Sequence, residues 1–202
     1  QRIETASYFG REIGLMYTHA HLRYCEALAH FGDAEGFFRG LMQANPIGLQ
    51  ELVPSAAPRQ SNCYYSSSDP AFADRYEAFA DYARALRGEV ALEGGWRVYS
   101  SGAGIAARLV IQSFLGLRQE VDALVVDPAI PKALDGLAVR MSLFERPVEV
   151  TYSIRAKGCG TASVTLNGAP LPFVREANPY RTGAARIARS ALAPHFAPDS
   201  NR

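Results

Sequence analysis

The chain has 202 residues, enough for one large domain or two small ones with a buried core. Hydrophobic residues make up 48% and charged residues 20%, as in ordinary globular proteins, and the net charge is +1. This balance indicates neither a nucleic-acid partner nor an anionic membrane surface. Because every apolar run is shorter than the roughly 18 residues of a membrane helix, we expect no direct membrane span.

The cysteines indicate neither a disulfide framework nor a zinc site. Cys25, Cys63 and Cys159 are odd in number, lie far apart and form no Cys-x-x-Cys pair. Reduced thiols in a cytosolic compartment are the simplest interpretation. Because the chain begins at Gln1 rather than at methionine, we expect a processed chain or a piece of a longer protein.

The first half of the chain reads as helical. Apolar residues recur at helical intervals at Leu15, Leu22, Cys25 and Leu28. Gly32 is placed to end this first helix. The segment AEGFFRGLMQA predicts a second helix, capped by Asp33 and ended before Asn45-Pro46.

A segment rich in proline and serine, residues 45–68, predicts a long loop. Tyr64 and Tyr65 would give it aromatic walls beside hydroxyl groups, as in sugar sites, although a loop with a capping serine fits equally. Asp69-Pro70 then predicts a helix start, with an acceptor at the N-cap and proline at the first helical position. The predicted buried face of this helix comprises Phe72, Tyr76, Phe79, Tyr82 or Ala83, and Leu86.

The segment EGGWRVYSSGAG precedes a further predicted helix, which Gly116 closes. Ser100 and Ser101 would place two hydroxyl groups and free backbone N–H groups at a helix N-terminus, a combination that suits an anion. A serine cap beside a glycine turn explains the same residues, so both interpretations stay open.

Two histidines in the first predicted helix, His19 and His21, lie about 200° apart on the helical wheel. They cannot both ligate one metal there, so we predict no metal site. One of them would face a pocket, or both are core or surface residues. The carboxylates are candidates for acid–base chemistry by residue type only, at Glu26, Asp69, Asp74, Glu89 and Glu93.

After about residue 120 the pattern changes to short runs rich in valine, leucine, isoleucine and threonine, separated by turn residues. Asn167-Gly168 is a strong hairpin signal. We therefore predict a helical region over residues 1–120 and an antiparallel β-sandwich over residues 121–202.

Four segments together resemble the C-terminal part of family-94 glycoside hydrolases, the inverting disaccharide phosphorylases. They are REIGLMYTHAHLRYCEAL, ANPIGLQELVPSAAPRQSNCYYSSSDPAFADRY, GGWRVYSSGAGI and DPAIPKALDGL. The greatest likeness is to the phosphorylase-like C-terminal region of cyclic β-1,2-glucan synthases. This resemblance implies the last part of an (α/α)6 barrel followed by a C-terminal jelly roll. The barrel would be completed by a missing N-terminal part of the same protein or by self-association, or its helices would rearrange.

The resemblance also implies a phosphate site. His19, in MYTH, matches the family's phosphate-binding histidine, and Ser100 and Ser101 match its threonine–glycine pair. Ser101 departs from the glycine that lets the backbone approach an anion closely, and Val98 departs from an aromatic residue. Tyr64 and Tyr65 would wall the glucosyl subsite. Inorganic phosphate is the co-substrate, and no cofactor is implied.

One part of the family's machinery is missing from this sequence, because no segment matches the Asp-Trp-Asn-Asp-Gly-like motif of the general acid. Asp33, Asp69 and Asp74 do not lie in such a motif. We expect the acid upstream of this chain, which would make the isolated chain inactive.

The resemblance implies inverting phosphorolysis of β-1,2-glucan to glucose 1-phosphate, which controls glucan length in a cyclic β-1,2-glucan synthase. The expected location is cytoplasmic, on the inner face of the bacterial inner membrane, within a larger membrane-bound synthase. The alternative is a non-catalytic structural or carbohydrate-binding module. A hydrolase on the same barrel would need a base carboxylate near the pocket.

Overall fold

The protein consists of two compact units. The computed structural model describes residues 18–45, 47–58, 68–94, 100–155 and 157–202. The first unit draws on Gln1–Cys25 and Arg39–Ala107, and the second on Glu26–Phe38 and Arg108–Arg202. The domain boundary expected between residues 120 and 121 stays a prediction. In the described ranges, no helix combines the length and the apolarity needed to cross a membrane.

The helices precede most of the strands, as the sequence predicts. The described helices are α1 Thr18–Phe31, α2 Ala34–Ala44, α3 Leu49–Leu52, α4 Arg75–Leu86 and α5 Ser100–Leu109. A short π-helix, Val110–Phe114, continues α5. Gly32 follows α1 with a φ of 90°, and Asp33 Oδ1 accepts a hydrogen bond of 2.8 Å from Gly36 N. The predicted stop and cap between α1 and α2 are therefore confirmed.

The predicted helix start at Asp69-Pro70 is wrong. Ser68–Pro70 is strand β1, which pairs antiparallel with strand β2, Leu92–Gly94. The N-cap of α4 is Asp74, whose carboxylate accepts hydrogen bonds from Tyr76 N at 2.9 Å and Glu77 N at 3.0 Å. Asp74, five residues after Asp69, provides an alternative N-cap, and the pairing of β1 with β2 excludes a helix at Pro70.

The predicted buried face of α4 is wrong at three positions, although Tyr82 packs against a buried cluster as predicted. Phe72 is buried before the helix begins, in a cluster with Ala78, Ala85 and Val90. Tyr76, Phe79 and Leu86 are instead 68%, 72% and 71% exposed. The helix begins about one turn later than expected, and its small alanine residues provide the buried contacts.

We expect the Asp74→Ala substitution to lower the free energy of unfolding by about 1 kcal/mol, because two backbone N–H groups lose their acceptor. Urea denaturation followed by circular dichroism measures this change. Asp74→Asn is the matched control, since the amide oxygen still accepts hydrogen bonds, and it should cost much less. Equal losses from both substitutions would contradict the capping assignment.

The second unit contains an antiparallel sheet and two hairpins. The sheet has the order β3-β4-β10-β9, with β3 Leu117–Gln119, β4 Ala123–Val126, β9 Val174–Arg175 and β10 Ala185–Ala188. The hairpins are β5 Ala138–Leu143 with β6 Arg146–Thr151, and β7 Thr165–Leu166 with β8 Ala169–Pro170. A short helix, α6, covers Arg189–Leu192. Their buried side chains form one apolar core that includes Leu117, Leu124, Val148, Leu166 and Ile187.

The turn of the β7–β8 hairpin is Asn167-Gly168, with φ angles of 51° and 82°, so the predicted hairpin signal is confirmed. This turn also holds the C-terminal residues. Asn167 Nδ2 donates to Asn201 Oδ1 at 3.0 Å, and Asn201 Nδ2 donates to Pro147 O at 3.0 Å. Asn201 is 1% exposed, so these hydrogen bonds satisfy a buried amide.

The predicted order of helices followed by antiparallel strands is confirmed. The (α/α)6 barrel and the jelly roll stay predictions.

Candidate phosphate-binding site

The first turn of α1 carries His19. Thr18 begins the helix and is 2% exposed, and His19 follows it, half-buried. No acidic residue lies in this first turn. The first turn of α1 therefore has no carboxylate of its own to repel an anion. The partial positive charge of the backbone N–H groups at a helix start favours an anion there.

One side of α1 packs closely on α2 within the first unit. The Nε2 atom of His21 donates a 2.7 Å hydrogen bond to Gly40 O. A Cβ atom on Gly40 would lie 2.6 Å from Cys25 Sγ, so glycine is what permits this approach. His19 lies about 200° around the helix from His21, and therefore on the side away from α2.

The described residues provide no metal centre. His21 is committed to a backbone carbonyl of α2. Across the described ranges, no group of three or more His, Cys, Asp or Glu side chains is arranged to hold a metal ion.

We expect Cys25 to resist alkylation by iodoacetamide at pH 8 in the folded protein. Its side chain is fully buried, and burial raises the pKa of the thiol to about 11. The reactive thiolate is therefore scarce at pH 8, three units below that pKa. Peptide mass spectrometry checks this, with the half-buried Cys159 as the internal comparison. Alkylation of Cys25 as fast in the folded as in the urea-unfolded chain would refute the assignment.

The second predicted element of the site is the start of α5. Ser100 and Ser101 are its first two residues, and no acidic residue lies in its first turn. The predicted helix after the glycine-rich segment is confirmed. The side chains of both serines, and all of Tyr64, Tyr65 and Val98, lie outside the described residues. The grouping of His19 with these residues stays a prediction.

An ion pair between α1 and α5 was not predicted from the sequence. Arg108 Nη2 donates to Glu26 Oε1 at 2.7 Å, and the two side chains are 35% and 33% exposed. The residues are 82 positions apart. No local sequence pattern predicts a contact at that separation. The only available signal is the position of each residue around its own helix.

Several candidate carboxylates have structural partners. Asp33 and Asp74 cap helices, Glu26 pairs with Arg108, and Glu89 pairs with Arg87 at 2.6 Å. The Arg87 partner lowers the pKa of Glu89. A general acid needs the opposite shift, so Glu89 is unsuited to that role.

The second unit contains a cavity of about 790 Å3. Its apolar lining includes Leu117, Leu124, Leu143 and Leu171, and its polar lining includes Arg155, Lys157, Arg175 and Arg202. The lining residues all belong to the second unit.

The chain is similar to glycoside phosphorylases and to a glucan synthase. Residues 116–201 match a family described as "Glycoside phosphorylase C-terminal domain". The chain is 46% identical over 192 residues to a 1,2-beta-oligoglucan phosphorylase of Listeria innocua serovar 6a, which covers 95% of this chain and 17% of that protein. It is 28% identical over 159 residues to the cyclic beta-(1,2)-glucan synthase NdvB of Rhizobium meliloti strain 1021, covering 78% of this chain and 5% of that protein.

Residues 116–201 therefore match a glycoside phosphorylase C-terminal domain, and the predicted relationship to glycoside phosphorylases is confirmed. The chain spans a small fraction of the length of both relatives.

Proposed function

We propose that this chain is the C-terminal part of a phosphorylase that cleaves β-1,2-glucans with inorganic phosphate. The observation that carries the proposal is the 46% identity to the Listeria innocua 1,2-beta-oligoglucan phosphorylase over 95% of the chain. That identity includes the helical first unit as well as the C-terminal domain. The phosphorylase residues implied by the resemblance therefore fall inside the similar region.

The proposed reaction is an inverting displacement. A phosphate oxygen attacks the anomeric carbon from the face opposite the leaving oxygen, and a carboxylic acid protonates that oxygen. One C–O bond forms to phosphate while the glycosidic C–O bond breaks, giving glucose 1-phosphate and a shortened glucan. The site would hold phosphate in line with the glycosidic C–O bond, so the two reactants need not meet by diffusion. This orientation would account for much of the rate enhancement.

This chain would supply the phosphate side of the site. His19 and the hydroxyl group of Ser100 would donate hydrogen bonds to phosphate oxygens, and the α5 N-terminus would add backbone N–H groups. The absence of acidic residues from the first turns of α1 and α5 supports this role, because a carboxylate there would repel phosphate. Tyr64 and Tyr65 would wall the glucosyl subsite.

The general acid would come from the part of the protein that this chain does not contain. The isolated chain should therefore bind phosphate without turning over glucan. In a cyclic β-1,2-glucan synthase the same phosphorolysis would trim glucan length, on the inner face of the inner membrane. The similarity to the Rhizobium meliloti synthase supports this extension.

Isothermal titration calorimetry of the chain with inorganic phosphate tests the proposal. We expect His19→Ala and Ser100→Ala each to weaken binding by about tenfold, because a hydrogen bond to a charged group contributes roughly 1.5–3 kcal/mol. His195→Ala, in the second unit, is the matched control and should leave the affinity unchanged. If His19→Ala and Ser100→Ala bind phosphate as the unmodified chain does, the assignment is wrong and a non-catalytic module is favoured.

A further inference from the structure

We propose that the cavity of the second unit binds a fatty acid, with the acyl chain on the apolar floor and the carboxylate at Arg155 and Lys157. The cavity has a volume of about 790 Å3, within the range of roughly 300–1,000 Å3 that is typical of small-molecule sites. All of its lining residues belong to the second unit. This site is therefore independent of the phosphate site proposed above.

The floor of the cavity consists of aliphatic core side chains. They are Leu117, Leu124, Val126, Leu143, Leu166 and Leu171, each at most 8% exposed. Close-packed protein interiors contain few voids larger than a water molecule, so a cavity of this size leaves room for a ligand. Water finds no hydrogen-bond partners on aliphatic walls, whereas an apolar molecule gains by burying its surface against them. A sugar would leave hydroxyl groups unpaired there, so the floor favours an acyl chain over a glucan.

Two cationic side chains lie where the cavity reaches the surface. The lining passes from buried core residues to exposed ones, and Arg155 and Lys157 are among the exposed ones. Within the part of the chain that the structure describes, neither side chain has a hydrogen-bond or ion-pair partner. Two unpaired cations beside an apolar floor favour a ligand with an apolar body and an anionic headgroup.

The other charged residues of the lining are already paired. Arg175 donates to two backbone carbonyl oxygens, at 2.7 and 2.8 Å. Arg202 and Arg140 both pair with Glu149, at 3.4 and 2.8 Å, and the hydrogen bond from Arg140 lowers the pKa of that carboxyl. The lining thus carries four cationic side chains and one anionic side chain that two arginines neutralise. This excess of positive charge favours a carboxylate at the mouth.

The backbone beside the two cations is held in place before any ligand arrives. Ile154, just before them, has both its N–H and its C=O hydrogen-bonded to side chains, each at 2.6 Å. Gly158, just after them, accepts a 2.8 Å hydrogen bond from Ile130 N. Less ordering is then needed when the ligand binds.

A fatty acid matches both parts of this cavity. Its carboxylate accepts two parallel hydrogen bonds from a guanidinium such as that of Arg155, and the ammonium group of Lys157 adds a second positive charge. Its single flexible chain buries methylene groups against the aliphatic floor. We expect the charge at the mouth to contribute modestly and the floor to contribute most of the affinity, because the two cations are exposed.

Isothermal titration calorimetry of the full chain with decanoate tests this proposal, and decan-1-ol is the uncharged probe with the same carbon chain. We expect decanoate to bind at one site, and R155Q/K157Q to weaken its affinity by about fivefold while leaving that of decan-1-ol unchanged. Leu171→Trp fills the floor and should abolish the binding of both probes, with the Tm showing that the variant is folded. R146Q/R189Q is the matched control, because it also removes two exposed cations of the second unit but neither lines the cavity.

The proposal is overturned if decanoate does not bind, or if folded Leu171→Trp binds it as the unmodified chain does. It is also overturned if R155Q/K157Q leaves decanoate binding unchanged or weakens both probes equally, and these surface variants decide the matter where Leu171→Trp does not fold. A final titration uses the Listeria innocua 1,2-beta-oligoglucan phosphorylase with its aligned stretch replaced by this chain. Retained binding supports the proposal, whereas loss of binding in the folded hybrid means that another part of the protein fills the cavity.

Discussion

The Gly116→Ala substitution is expected to destabilise the second unit by about 3–5 kcal/mol. The added methyl group overlaps neighbouring atoms, and alanine is strained in the backbone conformation that Gly116 adopts. Gly116 is buried, has a φ of 66° and lies at the entry to β3. A Cβ atom there would overlap Asp127 C and Pro128 N, which are backbone atoms and cannot rotate away. Gly116 O also accepts a 2.8 Å hydrogen bond from Asp127 N, so relieving the overlap would break the β3–β4 pairing.

Urea denaturation of the Gly116→Ala variant measures this loss, and Gly136→Ala is the matched control. Gly136 has a similar φ of 85°, but a Cβ atom on it would meet nothing within 4 Å. The control therefore isolates the conformational cost of about 1–2 kcal/mol. Equal destabilisation by the two substitutions would refute the close approach at Gly116.

The Arg181→Ala substitution should destabilise the second unit by about 2–4 kcal/mol, somewhat below the range for a fully buried pair. The Arg181 side chain is 8% exposed and forms two hydrogen bonds with Asp127, of 2.6 and 2.9 Å. Its Nε also donates to Ala29 O at 3.1 Å, in the last turn of α1. Removing the guanidinium leaves the largely buried Asp127 carboxylate without this partner. It also removes a positive charge from the C-terminus of α1, where such a charge is stabilising.

Arg140→Ala provides the comparison for this loss. Arg140 also pairs with a carboxylate, Glu149, at 2.8 Å, but its side chain is 84% exposed. Pairs of that kind contribute about 0–1 kcal/mol. Differential scanning calorimetry should show a clearly larger fall in Tm for Arg181→Ala. Indistinguishable falls would mean that the Arg181–Asp127 contact contributes no more than a surface pair.

Elements that depend on nearby residues were predictable from the sequence. The predicted second helix, AEGFFRGLMQA, has the same bounds as α2, Ala34–Ala44. Its cap, Asp33, and the stop before it, Gly32, act within four residues. The Asn167-Gly168 hairpin is equally local, because the turn alone sets the register of its strands.

Elements that depend on distant residues were not predictable. Asp69-Pro70 has the local signature of a helix start, yet it lies in β1 because residues 92–94 pair with it. The exposed aromatic residues of α4 fit the predicted helical face, but the alanines on the other side form the contacts. The partners of β1 lie more than 20 residues away, and Val90 lies beyond the end of α4, so the periodicity of α4 alone carries no information about either contact.

The candidate site also combines features that the sequence predicts with features that it does not. The positions of His19 and Ser100 at the starts of helices follow from local pattern and family resemblance, and the structure has both residues at helix starts. The Glu26–Arg108 ion pair joins residues 82 positions apart, and no local pattern predicts it. Contacts at that separation are therefore harder to predict from the sequence than residues at the start of a helix.

The central claim is that this chain supplies the phosphate side of a β-1,2-glucan phosphorylase. The most direct measurement replaces the aligned stretch of the Listeria innocua 1,2-beta-oligoglucan phosphorylase with this chain and assays glucose 1-phosphate release from short β-1,2-glucans. We predict phosphate-dependent release by the folded hybrid, and a loss of about tenfold or more on His19→Ala. An unchanged rate on His19→Ala, or release of free glucose without phosphate consumption, would contradict the claim.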